Sequence, residues 1–159
     1  MEENLFNNDE KYMQLALKEA KKAKLKGEVP IGAIIVQNDQ VIAKAHNLRQ
    51  TKFDSTAHAE ILALKKASKK LKTWHLVDCE LYVTLEPCPM CSGAIINSRI
   101  KRVVFGAYDK KAGCCGTLYN LPLDERFNHK PNEIVGGILE KQCADIISNF
   151  FKGIREKKK

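Results

Sequence analysis

His58-Ala59-Glu60 and, further along, Pro87-Cys88-Pro89-Met90-Cys91 hold the chemistry around which the rest of the chain is arranged. They offer one imidazole, two thiols and one nearby carboxylate. A tetrahedral zinc site that performs chemistry takes three protein ligands and leaves the fourth position to water. His58, Cys88 and Cys91 fill those three positions, for one zinc ion per chain. Glu60 as a fourth ligand would close the water position, so it is read as the acid and base that moves protons. The CxxC spacing lets one helical turn present both sulfurs to one ion, and the N–H groups of a helix start favour thiolates. Two plainer readings of the cysteine pair stand beside this one. A structural zinc site normally has a fourth side-chain ligand. A redox dithiol leaves Pro87, Pro89 and the distant His-x-Glu unexplained. His58 alone would be a packing or surface residue; Glu60 beside it and the cysteine pair downstream give it meaning.

The spacing of His58 and Glu60 also places them. Residues two apart point about 200° apart on a regular helix, so both serve one site only from a first turn. Ser55 or Thr56 is expected to cap a helix over 57–71, with Ile61, Leu64, Ala67 and Leu71 facing inward. Residues 79–85 read as a strand closed by Glu86-Pro87. A short helix over 90–97 follows, with Pro89 tolerated in its first turn, then a strand over 103–105. Strand, helix, strand predicts a parallel crossover. Upstream, Met13, Ala16, Leu17 and Ala20 give residues 9–26 a helical stripe that Gly27 ends. Residues 31–36 and 40–45 form a hairpin around Asn38-Asp39. His46-Asn47 leaves the second strand into a polar loop through Asp54, and loops at strand ends often carry binding groups. Residues 109–132 read as irregular, 133–135 as a short strand, and the chain from 138 as a helix. That last helix sets Leu139, Cys143, Ile146, Ile147, Phe150 and Ile154 on one face.

Length and composition bound the rest. A chain of 159 residues with 44% apolar content is expected to be one domain, residues 1–159, with a core that needs no disulfides. Its net charge of +8 suits a polyanionic partner or simple solubility. The lysine-rich face of the helix over 9–26 reads as solvated surface or as an RNA contact, and lysines cover the side of the helix over 57–71 away from its apolar positions. The N-terminus lacks the basic start and apolar run of a secretory signal. No apolar stretch approaches the ~18 residues that suggest a membrane span, so a cytoplasmic protein is expected. Cys79, Cys114, Cys115 and Cys143 are read as small packing groups. His46, His75 and His129 are read as structural, His46 standing nearest the site.

H-x-E followed by P-C-x-x-C is the signature of zinc nucleobase deaminases, and the chain resembles the cytidine-deaminase-like superfamily at those residues. The likeness is wider. Glu28-Val29-Pro30-Ile31-Gly32-Ala33, His46-Asn47, Thr56 to Ile61, Glu86 to Cys91, Gly93-Ala94-Ile95, Ser98-Arg99-Ile100, Phe127-Asn128-His129 and Phe150-Phe151 resemble bacterial tRNA-specific adenosine deaminases. The resemblance implies an α/β fold, a three-layer α/β/α sandwich on a mixed five-stranded sheet, and a homodimer. It implies hydrolytic conversion of adenosine to inosine at the tRNA wobble position. It makes His58, Cys88 and Cys91 the zinc ligands and Glu60 the proton shuttle. It gives Asn47 to the flipped base, Pro87 to substrate binding, Asp109 and Lys111 to the anticodon nucleotides, and Phe150 and Arg155 to a C-terminal helix bordering the RNA. For Phe150, plain packing is an equal reading. A free-base or nucleoside deaminase acting on guanine or cytosine is the alternative on the same scaffold. A zinc-binding RNA module without catalysis is a third, but it has no use for Glu60.

Overall fold

The computed structural model describes residues 2–157, with side chains from residue 8 onward. In chain order the elements are α1 (Glu2–Leu25), β1 (Gly32–Gln37), β2 (Gln40–His46), α2 (Ala59–Leu71), β3 (Cys79–Leu85), α3 (Pro89–Ser98), β4 (Arg102–Ala107), β5 (Glu133–Val135) and α4 (Glu140–Lys157). The five strands form one sheet in the order β2-β1-β3-β4-β5. β1 runs antiparallel to β2 and β3, while β3, β4 and β5 are parallel. The sheet is therefore mixed, as expected. The hairpin turn uses Asn38 and Asp39, both at positive φ, the conformation such two-residue turns demand and these residue types tolerate.

Alternation along the strands sorts the apolar side chains into two cores. Ala33 and Ile35 of β1, Leu81 and Val83 of β3, and Val103 and Phe105 of β4 face α2 and α3. Ile34, Val36, Tyr82 and Val104 face α1 and α4. Helices thus cover both faces of the sheet, which is the three-layer sandwich. Two glycines permit the closest approaches. A Cβ at Gly32 would run into the backbone of Ala16 and Ala20 on α1, and one at Gly106 into the side chain of Cys143 on α4.

One buried ion pair ties α1 to the sheet. Arg102 on β4 donates two 2.8 Å hydrogen bonds to the two oxygens of Asp9, and the Tyr82 hydroxyl donates to Asp9 at 2.8 Å. Asp9, beside the guanidinium, raises the Arg102 pKa further, so the charge there is permanent. All six cysteines are free. No helix among the described residues is long and apolar enough to cross a membrane.

The helix beginning at 57 in the sequence reading begins at Ala59. Asp54 takes the capping chemistry instead: its Oδ1 accepts the N–H and the hydroxyl of Thr56 at 2.8 and 2.7 Å, a local turn ahead of the helix. His58 is left as the N-cap.

Candidate active site

Two helix starts meet at the site. His58 is the N-cap of α2 and Cys88 the N-cap of α3, both in extended backbone, and neither side chain caps its own helix. Pro89 occupies the first turn of α3, where no N–H is needed. Cys91 completes that turn, three residues after Cys88, and is fully buried. The side chains that would ordinarily satisfy helix N–H groups are turned toward each other instead. His58 Nδ1 lies 3.6 Å from Cys88 Sγ and 3.5 Å from Cys91 Sγ, and all three ligand atoms lie within 4.8 Å of one another. Metal bonds of about 2.3 Å to sulfur and about 2.0–2.1 Å to nitrogen, set at the tetrahedral angle, give a nitrogen–sulfur edge of roughly 3.5–3.6 Å. The donor set and its spacing therefore fit a metal ion of the zinc type. No fourth His, Cys, Asp or Glu joins this cluster among the described residues.

The two thiols and the imidazole are close enough to set one another's protonation. Hydrogen bonding from Cys91, then from His58, holds the Cys88 thiol down to about 4. The same bond to Cys88, then burial, pushes Cys91 up. The bond to Cys88, with Glu60 adding to it, raises His58. Glu60, in the first turn of α2, is 4% exposed. Burial raises its carboxyl above the usual glutamate value, which suits a group that both takes and returns protons.

His58, Glu60 and Cys88 line a cavity of about 550 Å³, within the roughly 300–1,000 Å³ of small-molecule sites. Two loops wall it. The β2–α2 loop brings Asn47 and Arg49, and the loop after β4 brings Tyr108 and residues 109–112. Each loop is held from behind by a buried carboxylate. Glu28, 1% exposed, accepts the N–H groups of Gln50 and Thr51 at 3.0 and 2.6 Å. Burial works against its charge, yet these donors, Thr51 foremost, hold the carboxyl below its ordinary value. Glu86, 2% exposed, does the same for the other loop, accepting from Asp109, Cys115 and Thr117.

The expected substrate residues fall into place unevenly. Asn47 lines the cavity and is anchored by long bonds, its Nδ2 to the Val29 carbonyl and its Oδ1 from the Arg49 N–H, both 3.3 Å. That leaves one amide proton and one lone pair for a ligand. Asp109 and Lys111 line it too, though Asp109 Oδ1 already accepts the N–H groups of Lys111 and Ala112. Pro87 is buried behind the wall, its carbonyl accepting the Cys114 N–H at 2.9 Å. Phe150 is half-buried and lines neither this cavity nor its neighbour; Phe151, stacked edge-on against it at 5.5 Å, lines both. The neighbouring cavity, about 420 Å³, continues outward between Lys111 and Arg155 along α4. His46 turns away toward α1, bridging Glu19 and Lys26. Arg49 and Lys110 also line the inner cavity and were not singled out from sequence. Arg49 follows the Asn47 loop signal, whereas nothing in the local pattern marks Lys110.

The family model described as MafB19-like deaminase matches residues 7–155. The tRNA-specific adenosine deaminase of Bacillus subtilis (strain 168) is 58% identical over 154 residues, 97% of this chain and 95% of its own. A solved structure from work on A-to-I editing by tRNA:A34 deaminases at the wobble position of transfer RNA is 40% identical. It superposes with a TM-score of 0.81 over 85% of this chain and 97% of its own. A solved guanine deaminase of Bacillus subtilis, also 40% identical, covers 68% of this chain and 69% of its own at a TM-score of 0.61.

Proposed function

The chain belongs to the tRNA-specific adenosine deaminases, and from that premise we propose that it hydrolyses the wobble adenosine of a tRNA anticodon to inosine, with one zinc ion per chain held by His58, Cys88 and Cys91. The observation that carries the reading is the run of two adjoining cavities from the His58-Cys88-Cys91 cluster out between Lys111 and Arg155. A free base needs only the inner cavity. An RNA loop with one base flipped inward needs a channel for the nucleotides that flank it, with cations for their phosphates.

The chain's own residues do the following. The adenine enters the inner cavity, where the free amide proton and lone pair of Asn47 hold its edge. Zinc, when bound, supplies a Lewis acid that lowers the pKa of water at the open position toward about 7. Glu60 takes a proton from the attacking water and passes it to the ring nitrogen beside C6. The water oxygen bonds to C6. Glu60 then carries the second proton to the exocyclic nitrogen, the C6–N bond breaks, and ammonia and inosine leave. Burial, by raising the Glu60 carboxyl, brings its basicity nearer to the groups it serves. Asp109 and Lys111 border the flanking nucleotides, and Arg155 faces them from α4. Pro87 shapes the wall, and Phe150 supports Phe151 against the groove.

Residues 1–159 act as one domain whose last helix is basic, working in the cytoplasm where tRNA is matured. The working form is a homodimer.

Ammonia release tests the assignment. An anticodon stem-loop with adenosine at the wobble position should be deaminated, and free adenine, adenosine, cytosine and guanine should turn over negligibly. Rapid release from free guanine or cytosine, with none from the stem-loop, overturns it in favour of a free-base deaminase.

A further inference from the structure

Glu86 sits between β3 and the Pro87-Cys88-Pro89-Met90-Cys91 turn, yet its carboxylate is committed to a different part of the chain. Oε1 accepts the N–H of Asp109 at 3.1 Å and the hydroxyl of Thr117. Oε2 accepts the N–H groups of Cys115 and Thr117, both at 3.0 Å. A carboxylate offers about four acceptor positions, and here each is taken by one loop. The residues it grips span 109–117 and include Asp109 of the cavity wall. Asp109, once held, passes the order on: its Oδ1 accepts the N–H groups of Lys111 and Ala112, and its carbonyl accepts that of Gly113 at 2.9 Å. The loop lies so close that a Cβ at Gly113 would run into the Glu86 carboxyl.

A salt bridge or a packed apolar residue would also have filled this space. Four convergent acceptor bonds do something more specific, because they fix backbone direction at three points of a loop that has no strand or helix of its own. Tyr108, Lys110 and Lys111 then line the cavity at set positions. We propose that Glu86 is a positioning residue for substrate: it clasps the 109–117 loop in the shape that receives RNA and takes no part in the chemical step. The kinetic part of this inference rests on the tRNA reading above; the structural part does not.

The test uses full-length, zinc-loaded protein and two variants. Glu86→Gln keeps the shape but turns half of the acceptor into a donor. Thr117→Val keeps Glu86 and removes only the hydroxyl. Amide exchange by NMR at Asp109, Cys115 and Thr117 should speed up at least about tenfold in Glu86→Gln, the scale of one or two lost hydrogen bonds, while α1 amides keep their rates. Zinc should stay at one per chain. For the anticodon stem-loop, KM should rise about tenfold with kcat within about threefold; Thr117→Val should move the same way by less. If Glu86→Gln fails to fold, Thr117→Val decides through the same readouts. Unchanged amide exchange overturns the clasp. A loosened loop with unchanged KM and a fallen kcat, or with zinc lost, overturns the positioning role. If the wild-type protein does not turn over the stem-loop at all, the tRNA reading fails, and amide exchange still judges the clasp.

Discussion

At the scale of single residues, the proposed roles separate holding a metal from moving a proton. On the proposed ligand set, Cys88→Ala removes one of three ligands, and two would not hold zinc against water and competing thiols; metal content and turnover should vanish together. Elemental analysis alongside ammonia release checks this, and a fully metallated, active Cys88→Ala would remove the assignment. Glu60→Ala should behave differently. The carboxylate lies in the same cavity but outside the ligand cluster, so zinc, fold and RNA binding should survive while turnover falls by several orders of magnitude, about 10²–10⁴ from acid–base work alone. Zinc lost from Glu60→Ala would make it a ligand instead. Glu28 gives a pH effect with a definite sign. The Thr51 and Gln50 donors outweigh burial and hold its folded-state pKa below the ordinary glutamate value, so its stabilisation is fully present above the ordinary value and is lost as pH falls through the lowered one. Urea midpoints should therefore show a shallower loss below about pH 4.5 in Glu28→Gln than in the wild type, with the variant weaker at neutral pH.

At the scale of elements, the strands were readable as short runs of apolar, β-branched and aromatic residues bounded by turn residues; β3 and β5 run over the residues expected of them. The start of α2 was less readable, since Ser55, Thr56 and Asp54 all have capping chemistry and only the fold decides that Asp54 folds back on Thr56. α4 shows a subtler limit. One apolar face was expected, but the helix carries two seams. Cys143 and Ile146 pack into the core, while Ile147, Phe151 and Ile154 run along the groove; Leu139, expected on the same face, precedes the helix. Neighbouring residues differ by about 100° around a helix, so Phe150 and Phe151 exchange places once the second seam is recognised. Periodicity finds the apolar positions; it does not say which face meets substrate. The α1–β1 contact is equally invisible in sequence, because nothing in Gly32 itself announces a helix backbone against it. Gly32→Ala should cost about 1–3 kcal/mol through overpacking, measured as a lower denaturation midpoint. An unchanged midpoint would mean α1 has room to move.

At the scale of the whole molecule, the question is how a protein this small holds a tRNA. The inner cavity of about 550 Å³ takes one nucleotide, so most of the affinity must come from surfaces outside it. The groove beyond is bounded by Lys111 on the loop after β4 and by Arg155 on α4, and the net charge of +8 draws a polyanion toward it. Binding carried by phosphate contacts weakens steeply with salt, by about 0.7 in the log–log slope for each single-strand phosphate neutralised. KM for the stem-loop should therefore climb with salt while kcat holds. Lys111→Gln and Arg155→Gln should each flatten that slope by about one contact's worth. Removing residues 150–159 takes away Phe151, Ile154 and Arg155 together but leaves Cys143 buried against β4, so the shortened helix keeps its anchor. The truncated protein should retain one zinc per chain and lose most of its RNA turnover through KM. If it edits the stem-loop as well as the full chain does, with the same salt slope, the groove along α4 is not where the RNA lies, and the phosphate contacts must be sought on the lysine faces of α1 and α2.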